Sequence, residues 1–521
     1  MTTPDSHGWS RRRFLARALR TSTLATLSGG VAVAQVAPGA RLTPAAPELP
    51  AAAQDRMRAR LRLMRVALGQ EPADLLITGG TMLNTITGEL LPGWGVAIAG
   101  DRIAAVGDVA RHAGPATVRV SANGMTLAPG FVDAHYHCES SRLSARRHAE
   151  ITLPQGLTAY FEGTHEITNA AGGLPGVEYF VQAGRRLPQK IYPCVSSATP
   201  PSPLETTSGY IGHAEAALAF QRWSHEVRGI DEVMDLPRVL DGAPRLHGVI
   251  QATLDDRRVV AGHGSPPLDV LDGWIAAGIM SSHSARIAEA LTMLRKGVHL
   301  QLKTERTAEM IRQFLDLPLR DWRHVGLAVD DRTAAELLDR GGMDHEVRTA
   351  IALGVPPITA YQMATINNAA HWQVAHLHGA LAPGRFADVL IVSDFENVVI
   401  DRVVASGHLV AAQGRLTTPL DAGPLDPALR NTVRLRRALR AADFEILAPP
   451  NRQEVQAHVL PPRYFSRDLG PITRTLRVTD GRVQRDLRRG ITKLAIVERY
   501  GKGMSIGASF WELGFDEEAI A

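Results

Sequence analysis

The feature that most constrains the fold is a long alternation of short apolar runs with helical stretches across residues 129–380. Residues 285–294 and 334–338 are two of the helical stretches. Strands that alternate with helices over about 250 residues are typical of a (β/α)8 TIM barrel, an α/β fold. The rival fold is a doubly wound parallel sheet, but no G-x-G-x-x-G follows the first strand of this region. We therefore predict a barrel over residues 129–380.

Short β-like runs flank the predicted barrel on both sides. Runs with Gly-Asp turns fill residues 74–107, and similar runs fill residues 387–392 and 402–407. Such alternation is typical of hairpins. We predict a composite β domain, a small β-sandwich, from residues 72–128 and 381–420. An arginine-rich helix from about residue 432 and further strands predict a partial C-terminal α+β domain over residues 432–521.

The N-terminus predicts export. Ser10-Arg11-Arg12-Arg13-Phe14-Leu15 precedes a weakly apolar stretch, and Ala32-Val33-Ala34 has the small residues that a signal peptidase requires. The apolar run is too short to span a bilayer. We predict a twin-arginine signal peptide at residues 1–34, a linker and N-terminal helix at 35–71, and a periplasmic protein. The alternative is a disordered basic tail.

Composition excludes several classes of protein. The net charge is only +4, and no basic tract is interleaved with aromatic residues, so a nucleic-acid partner is not expected. The two cysteines, Cys138 and Cys194, form no C-x-x-C pair, so any metal must be held by His, Asp and Glu. No other cofactor-binding motif is visible. We expect a small-molecule substrate and no membrane span, and a homodimer is the assembly that we consider.

An H-x-H motif gives the strongest chemical signal. Pro129-Gly130-Phe131-Val132-Asp133 leads into His135 and His137. Residues two apart on a strand point to the same side, so both imidazoles can bind one ion. Catalytic groups converge at the C-terminal ends of barrel strands. We therefore predict His135 and His137 as metal ligands rather than as two surface histidines.

Two later histidines and an aspartate follow apolar runs in the same way. His263 follows residues 259–262, His283 follows residues 277–282, and Asp330 ends an apolar run that begins at residue 325. A carboxylate in that place can bind metal and accept a proton from metal-bound water. We predict these three residues as ligands and Asp330 also as a catalytic group. Asp331 is the predicted N-cap of the helix that begins near Thr333.

A binuclear centre also needs a group that bridges its ions, commonly a carboxylated lysine or a glutamate. Lys190 precedes its predicted strand, and Lys303 follows His283 too late in the chain to bridge. Glu232 lies where the fourth barrel strand is expected. A carboxylate buried in an apolar strand is costly unless it meets a cation. We therefore predict Glu232 as the bridge.

With these residues placed, the chain from about residue 73 onward resembles the adenine deaminases of the amidohydrolase superfamily. The matching motifs stand in the order that this family has. They are Cys138-Glu139-Ser140-Ser141 after the H-x-H, His165-Glu166-Ile167, Glu232-Val233-Met234-Asp235, Val329-Asp330-Asp331-Arg332 and the L-x-P-G-x-x-A-D return strand from Leu381 to Asp388.

The resemblance implies a metal-dependent aminohydrolase. Adenine or a related amino-heterocycle would be deaminated hydrolytically to the oxo product and ammonia by a hydroxide held between two divalent ions of manganese, iron or zinc. His165 and Glu166 would be catalytic groups beside the metal, and the alternative for them is a surface His-Glu pair. The residues implied as ligands are His135, His137, Glu232, His263, His283 and Asp330.

The chain also departs from this family's pattern. Ser284 stands in place of a glutamate, Ala261 in place of an aspartate and Gly342 in place of a histidine, while Lys303-Thr304-Glu305-Arg306 replaces R-E-G-S. The C-terminal domain resembles the family's own and stops before its last segment, as if truncated. Two other functions therefore stay open, namely hydrolysis of a cyclic or N-acyl amide and non-catalytic binding. Ammonia release separates deamination from amide hydrolysis, and a folded protein without metal would favour binding.

Overall fold

The computed structural model describes residues 50–202, 205–317, 319, 321–461, 471–502 and 507–512, without the side chains of residues 304–307 and 428. The chain divides into two units, residues 1–56 and 57–521. The first described helix, α1 (Ala51–Ala67), lies within residues 35–71, where a linker and an N-terminal helix are predicted. The predicted signal peptide and most of the predicted linker lie outside the described residues. Within the described ranges, no helix is long and apolar enough to cross a membrane.

Short strands fill the region before the predicted barrel. They are β1 (Leu75–Thr78), β2 (Thr81–Asn84), β3 (Glu89–Pro92), β4 (Gly95–Ala99), β5 (Arg102–Gly107), β6 (Val118–Ser121) and β7 (Thr126–Pro129). Strands β4 and β5 pair antiparallel across the predicted Gly-Asp turn. Gly100 in that turn has a φ of 59°, a left-handed conformation that glycine adopts without steric cost.

Parallel strands and helices alternate in the next region, as predicted. The strands are β8 (Phe131–His137), β9 (Leu157–Gly163), β10 (Lys190–Cys194), β11 (Gly229–Val233), β12 (Val259–Gly262), β13 (Ser281–Ser282), β14 (His299–Leu302), β15 (Val325–Leu327) and β16 (Asp330–Asp331). They form two parallel sheets with the orders β10-β9-β8-β16 and β11-β12-β13-β14-β15. The region is therefore a TIM-barrel-like α/β fold.

Helices connect and follow these strands. They are α2 (Ala145–Thr152), α3 (His165–Ala170), α4 (Leu174–Arg186), α5 (His213–Arg222), α6 (Leu236–Leu240), α7 (Pro244–Asp255), α8 (Leu271–Ala276), α9 (Ile287–Arg295), α10 (Thr304–Asp316), α11 (Ala334–Asp339), α12 (Met343–Ala352), α13 (Pro357–Met363) and α14 (Ile366–His371). Every residue of β8 and β9 is buried, because parallel strands are covered on both faces. Val132 and Phe161 pack with Trp372 on one face, and Phe131 and Tyr160 belong to the larger core on the other.

Strands after the barrel-like region return to the strands before it. They are β17 (Val389–Asp394), β18 (Val399–Ala405), β19 (His408–Ala412) and β20 (Arg415–Leu416). One sheet has the order β20-β19-β18-β17-β7-β2-β3, and a second has the order β5-β4-β1-β6. Ile77 and Ile98 of the smaller sheet share an apolar core with Leu127, Val389 and Ile391 of the larger one. The two flanks therefore pair in one sheet.

A five-stranded sheet, β23-β22-β21-β25-β24, lies near the C-terminus. Its strands are β21 (Glu454–Leu460), β22 (Ile472–Thr479), β23 (Arg482–Val483), β24 (Ile491–Ile496) and β25 (Gly507–Glu512). The arginine-rich helix predicted from about residue 432 is wrong, because the only helical turn in residues 432–453 is the 3-10 turn Ala441–Phe444. Residues 433–440 are exposed throughout, so no apolar face packs on the core, and packing supplies most helical stability.

Candidate metal centre

The predicted ligands lie together at the carboxyl ends of the parallel strands. His135 and His137 end β8, and Glu232 is the penultimate residue of β11. His263 directly follows β12, His283 directly follows β13, and Asp330 begins β16. The structure therefore brings all six side chains to one place, although their positions in the chain span almost 200 residues.

Glu232 lies between two pairs of histidines. Its Oε1 is 3.4 Å from Nε2 of His137, which is 3.0 Å from Nε2 of His135. Its Oε2 is 2.9 Å from Nε2 of His283 and also contacts Nδ1 of His263. The two nitrogens of the second pair are 2.9 Å apart. Each carboxylate oxygen of Glu232 thus faces one histidine pair.

Asp330 also faces the histidine pair formed by His135 and His137. Its Oδ1 is 3.6 Å from Nε2 of both His135 and His137, and its Oδ2 is 3.9 Å from Nε2 of His283. The residue has a φ of 59°, which is uncommon for a residue other than glycine and typical of functional sites. Its Oδ2 also forms an ion pair with the ammonium of Lys303.

These donors fit divalent cations. His135, His137 and Glu232 offer ligand atoms within 4.8 Å of one another, and so do Glu232, His263 and His283. Imidazole and carboxylate ligands suit zinc, iron and manganese. The two nitrogens of each histidine pair lie 2.9–3.0 Å apart and beside a carboxylate, so one divalent cation could take both as ligands. The residues present therefore match the metal that the sequence predicts.

The charges of the site keep its acids ionised. Burial raises the pKa of Asp330, but the imidazoles of His135 and His283 and the ammonium of Lys303 outweigh it and hold that pKa well below its usual value. Burial also raises the pKa of Glu232, yet His283 and the other histidines lower it well below the usual value. Both acids are therefore carboxylates at neutral pH, the form that binds metal.

One contact orients the ring of His137, and another holds the main chain at His135. Nδ1 of His137 lies 3.2 Å from the carbonyl oxygen of Gly163, so Nδ1–H donates there and Nε2 faces the centre. The carboxylate of Asp133 accepts the backbone N–H of His135 at 3.1 Å and that of Val329 at 3.1 Å. Asp133 therefore ties β8 to the turn that carries Asp330. The H-x-H pattern predicts no role for Asp133, although a buried acid inside an apolar strand is a signal for one.

His165 and Glu166 lie beside the predicted ligands. Both begin α3, directly after β9. Nε2 of His165 is 3.0 Å from Oε1 of Glu166, and its Nδ1 is 3.3 Å from Oδ2 of Asp231. Oε2 of Glu166 is 3.7 Å from Nδ1 of His137, and this side chain is 45% exposed. Burial raises the pKa of Glu166, but the hydrogen bond from His165 lowers it to about 2.

The prediction for Asp331 is wrong, because Thr333 caps α11. The Thr333 hydroxyl accepts the N–H of Glu336 at 3.3 Å, and the Glu336 carboxylate accepts the N–H of Thr333 at 2.8 Å. This capping box needs a residue directly before the helix, where Thr333 stands. Asp331 instead accepts a hydrogen bond from the Ser140 hydroxyl.

Lys303 also lies in the site, a position that could not be predicted from its place in the sequence. It directly follows β14, which pairs with β15, and β15 leads within three residues to Asp330. Its ammonium forms an ion pair with the carboxylate of Asp330. Of the residues that depart from the family pattern, Ala261 is buried in β12 with Val132 and Phe161, and Ser284 follows His283.

Comparison with known proteins gives a consistent result. Residues 126–410 match the Amidohydrolase family. The chain is 39% identical to an adenine deaminase of Moorella thermoacetica, over 88% of this chain and 78% of that protein. It is 37% identical to adenine deaminase 2 of a Jannaschia species, over 88% of this chain and 74% of that one. An adenine deaminase of Rubrobacter xylanophilus is also 37% identical, over 88% and 77%.

Proposed function

Because this chain belongs to the adenine deaminases of the amidohydrolase family, we propose that it hydrolyses adenine to hypoxanthine and ammonia. The enzyme is a hydrolase that acts on carbon–nitrogen bonds other than peptide bonds. The observation that carries the proposal is the meeting of four imidazoles and two carboxylates at the ends of the parallel strands. The three relatives compared above are all adenine deaminases, so amide hydrolysis and non-catalytic binding are not favoured.

We propose that the centre holds two divalent ions of manganese, iron or zinc. His135 and His137 would hold one ion, and His263 and His283 the other. Glu232 would bridge the ions, because each of its oxygens faces one pair. When bound, the ions would lower the pKa of a water molecule so that it attacks a ring carbon at neutral pH.

Asp330 is the group that we assign to proton transfer at the metal centre. Its Oδ1 faces the first histidine pair, and the low pKa keeps this carboxylate able to accept a proton from the attacking water. Lys303 holds the other oxygen, Oδ2, and thereby fixes the direction of the carboxylate. Glu166 and His165 stand on the exposed side, where they would contact the heterocycle.

We also propose that the parallel strands close into one (β/α)8 barrel. Val195 and Ile230 form a parallel bridge, which links the end of β10 to β11. At the other seam, β15 pairs with β14, and β16, three residues further on, pairs with β8. These contacts support a continuous eighth strand across residues 325–331.

We also propose the limits of the domains and a periplasmic location for the protein. We keep a composite β domain at residues 72–128 with 381–420, a barrel at 129–380 and a C-terminal domain at 432–521. The pairing of β7 with β17 supports the composite domain. Export by the twin-arginine pathway is supported by Arg11, Arg12 and the residues that follow them.

Ammonia release from adenine tests the function. The full chain, loaded with manganese, is expected to release ammonia and hypoxanthine in equal amounts. Asp330→Asn keeps the shape of the side chain but cannot accept the proton, so turnover should fall by about 10²- to 10⁴-fold. Asp339→Asn, an acidic residue that ends α11, serves as the matched control and should keep wild-type turnover. A fully metal-loaded wild type that releases no ammonia from adenine would exclude the proposed reaction.

A further inference from the structure

Two consecutive acids of β11 have different main partners in the site. Glu232 contacts His137, His263 and His283. Its neighbour Asp231 is the nearer acid to Nδ1 of His165, at 3.3 Å against 3.8 Å for Glu232. Successive residues of a regular strand point to opposite faces. The pairing of β11 with β12 shifts register between Ile230 and Val233, and this irregularity accompanies the convergence of both carboxylates.

Asp231 is buried and is held in place by hydrogen bonds to the main chain. It is 1% exposed. Its Oδ1 accepts the backbone N–H of Ser197 at 3.3 Å, and its own N–H donates to the carbonyl of Val195 at 2.9 Å. A buried carboxylate is stable only with partners, and the remaining oxygen, Oδ2, faces Nδ1 of His165 at 3.3 Å. The carboxylate is thus a fixed acceptor for that ring.

The contact with Asp231 determines which ring nitrogen of His165 faces the substrate side. When Nδ1–H donates to Asp231, Nε2 points towards Glu166, whose Oε1 lies 3.0 Å away. The backbone carbonyl of His165 accepts from the Asn169 amide at 2.6 Å, which anchors the main chain but not the ring. The ring also meets His137 edge to face, with centroids 4.8 Å apart.

We propose that Asp231 is a positioning residue for deamination, which holds the His165 ring with Nε2 towards Glu166 and the bound heterocycle. The inference rests on the proposed function. Without Asp231, the ring keeps its main-chain anchor but loses the acceptor that sets its rotation. Turnover should then fall while metal binding and KM stay unchanged, because Asp231 touches neither the predicted ion positions nor the substrate.

A double-mutant cycle tests this inference on the full, manganese-loaded chain. Asp231→Ala and His165→Ala should each lower kcat about 10- to 100-fold, the usual range for partners that orient an active-site histidine. The double variant should be no slower than the slower single variant, because both changes remove the same oriented ring. Asp231→Asn keeps an oxygen that can accept from Nδ1 and should restore part of kcat. Additive losses in the double variant would overturn the inference.

Asp388→Ala is the matched control for Asp231→Ala. Asp388 is also buried and contacts a histidine, with Oδ2 3.3 Å from Nδ1 of His378, but it belongs to the return segment and not to the metal centre. This variant should keep wild-type kcat. A loss in Asp388→Ala equal to that in Asp231→Ala would show a general effect of removing a buried acid and would overturn the inference.

Two further measurements separate this inference from the proposed function. Asp231→Ala should bind as much manganese as the wild type, and its crystal structure should show the His165 ring turned away from Glu166. Loss of metal, or a ring that keeps its wild-type orientation, overturns the positioning role even if adenine is the substrate. A metal-loaded wild type that is inactive on adenine overturns the proposed function itself.

Discussion

At the scale of single residues, Gly163 sets how closely β9 approaches the ring of His137. A Cβ at this position would lie 2.3 Å from Cε1 and 2.8 Å from Nδ1 of that ring. The same residue supplies the carbonyl oxygen that accepts from Nδ1. Glycine is therefore required here by the close approach of an imidazole rather than by a turn.

Gly163→Ala should displace His137 and weaken metal binding by about 10- to 100-fold, as changes around a ligand commonly do. Manganese retained after dialysis, measured by mass spectrometry, reports the effect. Gly273→Ala is the control, because a Cβ there meets its nearest neighbour at an ordinary 3.7 Å. If Gly163→Ala retains as much manganese as the control, the close approach does not matter for the centre.

His148 shows how a buried histidine couples stability to pH. Burial lowers the pKa of this residue to about 3, and both ring nitrogens lack a hydrogen-bond partner among the described residues. At a pH between the ordinary histidine pKa of about 6.5 and this lower pKa, His148 is protonated in the unfolded chain but not in the folded chain. Stability contributed by neutral His148 is therefore lost as the pH falls from about 6.5 towards 3.

His148→Gln should flatten this pH dependence. The free energy of unfolding of the wild type should fall with decreasing pH, with up to about 1.4 kcal/mol per pH unit from this residue. Urea unfolding between pH 7 and pH 4 measures the slope. His225→Gln, at an exposed position, should keep the wild-type slope. Identical slopes in all three proteins would contradict the assignment.

At the scale of elements, α14 ties the first and last strands of the barrel-like region together. Nδ2 of Asn368 donates to the carbonyl of Val132 on β8 at 2.7 Å and to that of Leu327 on β15 at 2.8 Å. Nε1 of Trp372 donates to the carbonyl of Ala134 at 2.8 Å. These bonds lie where the proposed barrel closes.

Asn368→Ala should destabilise the protein by about 2–5 kcal/mol, because two buried carbonyls lose their donor and each unsatisfied group costs about 1–3 kcal/mol. Urea unfolding measures the loss. Asn397→Ala, on an exposed turn, removes an amide of the same kind and should cost less than about 1 kcal/mol. Equal losses in the two variants would mean that Asn368 does not join the strands.

Sequence alone predicted the elements that repeat and the candidate ligands that lie at their ends. His263, His283 and Asp330 each follow an apolar run, and the ends of parallel strands meet at one edge, so their convergence follows from the pattern. Lys303 and Asp231 could not be assigned in this way. The contact of Lys303 depends on the adjacency of β14 and β15, and that of Asp231 accompanies a local register shift.

The errors have the same physical origin. Asp331 and Thr333 are both residues that favour the N-cap position. The cap is Thr333 because the helix begins at Ala334, directly after it. The arginine-rich segment after residue 432 has residues that favour helix, but tertiary packing decides whether a helix forms. The local preference of the sequence for a helix therefore predicted the structure correctly only where the helix also packs on an apolar core.

At the scale of the whole molecule, the N-terminal residues are expected to direct a folded, metal-loaded enzyme across a membrane. Replacing Arg11 and Arg12 together by lysine should abolish export, since the twin-arginine pathway reads this pair. Fractionation of a bacterial host, followed by immunoblotting, measures the periplasmic fraction. Arg20→Lys, outside the motif, should leave export unchanged. Equal periplasmic amounts of the double variant and the wild type would contradict the twin-arginine assignment.

The central claim is that six side chains of the barrel-like region hold two ions that together support deamination of adenine. Titration of the metal-free enzyme with manganese, with bound metal and ammonia release followed in parallel, tests it most directly. We expect about two ions per chain, ammonia release that rises with their binding, and loss of one or both ions in Glu232→Gln. Ammonia release without bound metal, or full occupancy without ammonia from adenine, would contradict the account.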